Sequence, residues 1–198
     1  MPNTLSAARI LDTALILAER RGWECLRLGD VATELGVALD DIARHYRDKD
    51  ALVEAWFDRA DAALLARSRG ADLPALEPLG RLEELLVAWL KALKPHREVT
   101  EQMLCYKLEP GHLHLQLGGL QRISRTVQWW REATGCESSH CWRVGEECAL
   151  TLVYLRAFAH WLRHPEESEI QFRAFLRRRL RCWLPVWLRR PQACPAVR

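Results

Sequence analysis

The sequence predicts an all-α protein, with three short helices at its N-terminal end and a larger helical domain behind them. Apolar residues recur at three- and four-residue spacing along most of the 198 residues, and Gly and Pro interrupt that pattern at helical lengths. No alternating strand pattern and no internal repeat is found. An apolar content of 49% over this length supplies a sizeable core.

Ser6 to Arg21 reads as the first helix, with Ala7, Ile10, Leu11, Ala14, Leu15 and Ala18 on one face, Ser6 as N-cap and Gly22 as stop. Asp30 to Leu35 forms a short second helix, Gly36 a tight turn, and Ala38 to Tyr46 a third, which together make a helix-turn-helix. A longer helix follows Asp48 with Leu52, Val53, Trp56, Phe57, Ala60, Leu64 and Leu65, and ends towards Arg69 before the breakers Gly70, Pro74 and Pro78. The domain boundary is therefore placed near Gly70, giving domains at 1–69 and 70–198. Further helices are expected from Leu79 to Leu93, Arg97 to Leu108, about Leu115 to Thr134, Trp142 to Arg163 and Ser168 to Leu188.

The net charge of +3, from 29 basic and 26 acidic residues, offers no bulk attraction for nucleic acid, so any DNA-binding surface must be local. Seven cysteines without paired spacing and no recognisable signal peptide point to a reducing, cytoplasmic setting. Charged residues interrupt every apolar run short of membrane-spanning length. All of the nine tryptophans except Trp23 and Trp56 lie from Trp89 onward, so bulky aromatic packing is expected in the second half.

The segments Ile10-Leu-Asp-Thr-Ala-Leu, Arg21-Gly-Trp23, Gly29-Asp-Val-Ala32, Leu35-Gly-Val37 and His45-Tyr46 with Lys49 resemble the TetR/AcrR family of transcriptional regulators. Over about a quarter of the chain the spacing matches without gaps. The resemblance implies a homodimeric regulator, a repressor, that lays its third helix in the major groove of operator DNA and answers to an apolar small molecule bound in the second domain. The implied DNA-binding residues are Arg27, Thr33, Ala38, Leu39, Asp40, Arg44, His45, Tyr46 and Lys49. The chain departs from the family where it has Ala38 for the usual Ser or Thr and Leu39, Asp40 and Asp41 for small, polar or basic residues. Both carboxylates complement the helix dipole yet face the phosphate array. Arg44, His45, Arg47 and Lys49 partly offset this on the following turn, and Arg9, Arg20, Arg21 and Arg27 are expected against the flanking backbone.

A second resemblance lies in Lys94-Pro-His-Arg-Glu98, Trp130, Gly135, Leu150, Val153-Tyr154, Trp161-Leu162 and Phe175-Leu-Arg-Arg-Arg-Leu180, which look like the lipid-binding accessory proteins of ubiquinone biosynthesis. That family implies the same fold without DNA binding, an isoprenoid pocket and a membrane-touching helix. Here Cys136 follows Gly135 where an acidic residue is usual, and Glu146-Glu147 replaces a basic pair.

Candidate pocket residues are Trp89, Met103, Tyr106, Leu120, Trp129, Tyr154, Phe158 and Trp161, of which most are expected to be ordinary core. Cys136, His140, Cys141, Cys148 and His160 match no zinc-ligand spacing and read as buried thiols and surface histidines. His112 and His114 read as loop residues. With no nucleophile elbow, phosphate loop or triad spacing, neither an enzyme nor a cofactor site is expected. Trp183 and Trp187 beside Arg177-Arg-Arg179 and Arg189-Arg190 offer either a dimer seam or a peripheral membrane contact through the C-terminus. Leu152, Leu155, Phe158, Phe172, Phe175 and Leu180 are expected to carry surplus apolar surface for a dimer.

Overall fold

The computed structural model describes residues 5–108, 113–135 and 140–183, with side chains left out at the edges of the last four helices. Helices α1 (Ala7–Arg21), α2 (Leu28–Leu35), α3 (Leu39–Ala43), α4 (Lys49–Ser68), α5 (Pro78–Leu93), α6 (Arg97–Leu108), α7 (Leu113–Thr134), α8 (His140–Arg163) and α9 (Glu169–Trp183) follow one another, joined in two places by single turns of 3₁₀ helix. No strand occurs among the described residues. Packing divides the chain into two compact units, one made of Met1–Ala60 with Leu93–Leu120, the other of Asp61–Ala92 with Gln121–Arg198.

In the first unit α1 is capped by Ser6, whose Oγ accepts from the Arg9 amide, and is closed by Gly22 at φ +83°. Helix α2 starts at Leu28, two residues before the predicted start, because Asp30 does not cap from outside. It sits in the first turn and accepts from the Arg27 amide at 3.0 Å. Asp41 repeats the device in α3, accepting from the Ala38 amide at 3.2 Å. Between them Gly36 takes the left-handed conformation, φ +66°, that a one-residue reversal requires. Helix α3 ends at Ala43, short of the predicted Tyr46, because the chain turns there and carries the Tyr46 ring inward. Its hydroxyl donates to the Ala7 carbonyl at 2.9 Å. Buried Ile10, Leu11, Leu15, Val31, Ile42, Leu52 and Trp56 fill the core of the unit. Helix α6 packs on α1, and Trp56 Nε1 donates to Thr100 Oγ1 at 2.9 Å.

The second unit is built around a buried carboxylate. Asp61, 4% exposed, accepts from Trp89 Nε1 (2.8 Å) and Thr126 Oγ1 (2.9 Å) on one oxygen and from Arg122 Nη2 (2.5 Å) on the other. Three donors from α5 and α7 thus converge on one side chain of α4, which offsets much of the cost of burying its charge. Pro78, expected to break the pattern, is instead the first residue of α5, where its missing amide hydrogen costs nothing. Arg173 of α9 reaches Glu83 and Glu84 of α5 at 3.1 and 2.5 Å, Arg177 also binds Glu83, and Lys91 pairs with Glu169 at 2.9 Å. Burial alone would lower the Arg173 pKa, but its bonds to Glu84, Glu169 and Glu83 carry it above the usual arginine value.

Half of the expected surplus apolar surface is consumed within the subunit. Phe158, Phe172 and Leu180 are buried, because α8 and α9 pack on each other and on their own unit. Phe175 is half-buried and stacks on His160 at 3.7 Å between centroids. Leu152 and Leu155 stay exposed, joined on α8 by Val144 and on α9 by Ile170. The part of the predicted last helix beyond Trp183 lies outside the described residues.

Removing the Asp61 carboxylate takes the shared acceptor from three donors, so Asp61→Ala should destabilise the protein by about 3–5 kcal/mol, and Asp61→Asn by less. Chemical denaturation of both variants checks the order. Gly36 has open space where a Cβ would stand, so Gly36→Ala should cost only the backbone penalty, about 1–2 kcal/mol, and Gly36→Asn less again.

Candidate nucleic-acid interface

The exposed surface of α2, the Gly36 turn and α3 carries most of the predicted DNA-binding residues. Arg27, Thr33, Ala38, Leu39, Asp40, Arg44 and His45 are all exposed. Leu39, at 54%, is an apolar side chain left in water on the first turn of α3. Thr33 Oγ1 is turned back to the Gly29 carbonyl at 2.9 Å, a bond within its own helix.

The two acidic residues of α3 differ in their commitments. Asp41 is two-thirds buried, accepts from the Ala38 amide and also from Arg44 Nη1 at 2.6 Å. Asp40 is 69% exposed and accepts from Arg44 Nη2 at 2.8 Å. Arg44 is therefore held across one helical turn by both carboxylates while its side chain stays in solvent.

Two members of the predicted set face inward. Tyr46 is buried with its hydroxyl on Ala7, and burial raises its pKa. Lys49 donates from Nζ to the Trp23 and Glu24 carbonyls at 2.5 and 3.2 Å and lies over the rings of Trp23 and Tyr106 at 5.0 and 5.3 Å. It closes the end of α1 onto α4 and α6. The remaining cations are loosely held: Arg20 lies 3.9 Å from Glu34, Arg21 3.7 Å from Asp30, and Arg47, 86% exposed, pairs with neighbouring Asp48. Such exposed pairs contribute about 0–1 kcal/mol each and exchange readily for another anion.

Sequence reasoning missed the bracing from α6 and the 3₁₀ turn Lys94–His96 that leads into it. Gln102 Oε1 accepts from the Trp23 amide at 2.6 Å, His96 Nδ1 lies 2.6 Å from Glu19 Oε1, and Lys107, nearly buried, donates to Glu54 and Asp50 at 2.7 Å. Burial alone would lower the Lys107 pKa, but its bonds to Asp50 and Glu54 raise it instead. The signal was Lys107 falling on the inward stripe of Val99, Thr100 and Met103.

The predicted pocket residues separate. Met103, Tyr106 and Leu120 belong to the first unit, Trp89, Trp129, Tyr154, Phe158 and Trp161 to the second. Four of the latter come together: Trp89 meets Tyr154 and Phe158 edge-on at 5.3 and 5.2 Å, and Phe158 stacks on Trp161 at 6.0 Å. Burial holds the Tyr154 phenol protonated, its pKa far above the ordinary value. Met103 is buried, while Leu120 and Trp129 are exposed at 64% and 44%.

Contrary to the expectation of buried thiols, Cys148 is exposed, as are Cys25, Cys105 and Cys182. His160 is half-buried and bonds Glu167 at 2.8 Å. Cys136 and the side chains of His140 and Cys141 lie outside what the structure describes, as do His112, Trp187 and the side chains of His114 and Trp183. Among the described residues no group of three or more His, Cys, Asp or Glu converges on a point, and no helix is long and apolar enough to cross a membrane.

Residues 10–56, from within α1 to the middle of α4, match the family model of bacterial regulatory proteins of the tetR family. The fold superposes on the crystal structure of the TetR transcriptional regulator from Nitrosomonas europaea with a TM-score of 0.79 and 41% identity, covering 89% of this chain and 97% of that one. A TetR transcriptional regulator from Rhodococcus sp. RHA1 shares the fold at a TM-score of 0.67 and 20% identity, over 90% of this chain and 94% of the other. The HTH-type transcriptional repressor KstR of Rhodococcus jostii is 33% identical over 99 residues, a match that spans 48% of this chain and only 44% of the repressor. The chain belongs to the TetR family of DNA-binding transcriptional regulators and is not an enzyme.

Proposed function

We propose that the protein is a homodimeric repressor whose segment 1–69 holds operator DNA and whose segment 70–198 carries the dimer contact and a site for an apolar small molecule. The exposed face of α2, the turn and α3 carries this reading, since it offers base-reaching side chains on a short helix flanked by weakly paired arginines. Similarity to a protein described as a repressor supports the direction of regulation. Exposed Val144, Leu152 and Leu155 along α8 support a contact between two copies, because a monomer gains nothing by leaving them in water. The cluster of Trp89, Tyr154, Phe158 and Trp161 supports an apolar ligand, since its rings offer many carbon contacts and the charges beside it, Asp61 and Arg122, are spent on each other.

Leu152→Glu combined with Leu155→Glu should turn the dimer into a monomer in sedimentation at micromolar concentration and weaken binding to the DNA upstream of the chain's own gene by at least about tenfold, since two linked half-sites become one. A wild-type monomer would remove the dimer from this account. Flat filter-binding curves at low salt, together with flotation on anionic vesicles, would replace the regulator by a lipid-binding role. In thermal-shift screens with isoprenoid quinones, fatty acids and hydrophobic drugs, at least one class should raise the melting temperature by a few degrees.

A further inference from the structure

Asp40 and Asp41 sit at the same helix end, yet only one has a structural duty. Asp41 is partly covered and is spent on the Ala38 amide and on Arg44 Nη1 at 2.6 Å. Asp40 bonds nothing but Arg44 in the described contacts, leaves its second oxygen to solvent, and shares the outward face of α3 with Leu39 and Arg44. A carboxylate in that place weakens every approach to phosphate, and it adds no cap that Asp41 does not already supply. Its chemistry has a use at a base edge.

We infer that Asp40 and Arg44 act as a coupled base-reading pair, Arg44 donating to O6 and N7 of a guanine and Asp40 accepting from the N4 amino group of a cytosine, so that each operator half-site carries C and G within one base-pair step. This inference rests on the operator-binding reading above. An ionised carboxylate only accepts hydrogen bonds. Cytosine presents a lone donor in the major groove, whereas adenine presents its donor beside the N7 acceptor, which repels a carboxylate. A guanidinium forks onto guanine O6 and N7. Four residues of helix rise about 6 Å, nearly two base-pair steps of about 3.4 Å, and the bond of 2.8 Å draws the two side-chain ends together so that they reach neighbouring positions. This bond and that of Asp41 to Nη1 at 2.6 Å aim the guanidinium in advance, each Nη keeping a second N–H for the guanine, and the charge of Asp40 stays compensated when the bases replace water. Asp40 thereby lowers affinity for arbitrary sequence while favouring one base, a repulsive element that raises specificity.

Selection of bound fragments from a randomised DNA library, sequenced for wild type, Asp40→Asn, Asp40→Glu and Arg44→Ala, tests the pair. The wild-type motif should contain the C and G positions. Asp40→Asn should turn the cytosine position towards adenine, which an amide bonds at N6 and N7, with discrimination there changing about 5- to 100-fold and non-specific binding rising. Asp40→Glu should keep cytosine, and Arg44→Ala should flatten the guanine position alone. A motif that Asp40→Asn leaves unchanged, from a protein that still binds DNA, overturns the base assignment and spares the operator reading. A wild-type chain that retains no fragment at low salt overturns both.

Discussion

A buried indole N–H is costly without an acceptor, and three of the buried tryptophans, Trp56, Trp89 and Trp130, find one on another helix, so that α4, α5, α6 and α7 are tied together by these bonds. Trp56 donates to Thr100 Oγ1, which passes a hydrogen bond on to the His96 carbonyl. Trp130 donates to the Leu82 carbonyl at 2.9 Å. Trp89 donates to Asp61, and because that acceptor is charged it gathers Arg122 and Thr126 as well. Each bond ties one helix to another at a fixed residue. A slip of one position turns a helix by about 100° and carries the donor away from its acceptor, so the bonds set register where apolar packing alone tolerates alternatives.

The elements that sequence reasoning located were those whose boundaries rest on local chemistry. Ser6 and Gly22 bound α1 as predicted, and α6 begins at Arg97 and ends at Leu108 as expected from its flanking prolines. The misplacements also have local causes. Asp30 reads as the first residue of its helix in sequence, yet it serves from the third helical position, which moves the start of α2 back to Leu28. Pro78 reads equally as a terminator and as a first residue. What sequence could not show is partnership at a distance. Asp61 looks like a surface residue on α4 until α5 and α7 bring their donors to it, and Lys49 looks like a phosphate ligand until two carbonyls at the end of α1 claim it. The same holds for Phe158, Phe172 and Leu180, apolar enough for a dimer seam but used up by their own unit.

The helix-turn-helix also shows how a missing cap residue is replaced. Neither Arg27 nor Ala38 caps its helix with a side chain; the first turn is held instead by Asp30 and Asp41 reaching back to the preceding amides. This is half of a capping box, worth up to about 1 kcal/mol, and it puts the negative charge where the helix dipole favours it. The arrangement leaves Ala38 small at the edge of the interface, so that the backbone there has room to approach a surface closely.

Charge on this face is graded by how firmly each cation is held. Lys49 gives its donors to backbone carbonyls under two aromatic rings, an environment that a phosphate cannot match without exposing those carbonyls again. Arg20, Arg21 and Arg47 hold only exposed carboxylates, weak pairs that a dense phosphate array displaces at little cost. Arg44 stands between these limits, bonded twice yet 68% exposed. A net charge of +3 spread over the chain says nothing of this order. The cations released most easily lie around the rim and suit sequence-independent contact, while the one held in fixed geometry lies on α3, where aim matters more than charge.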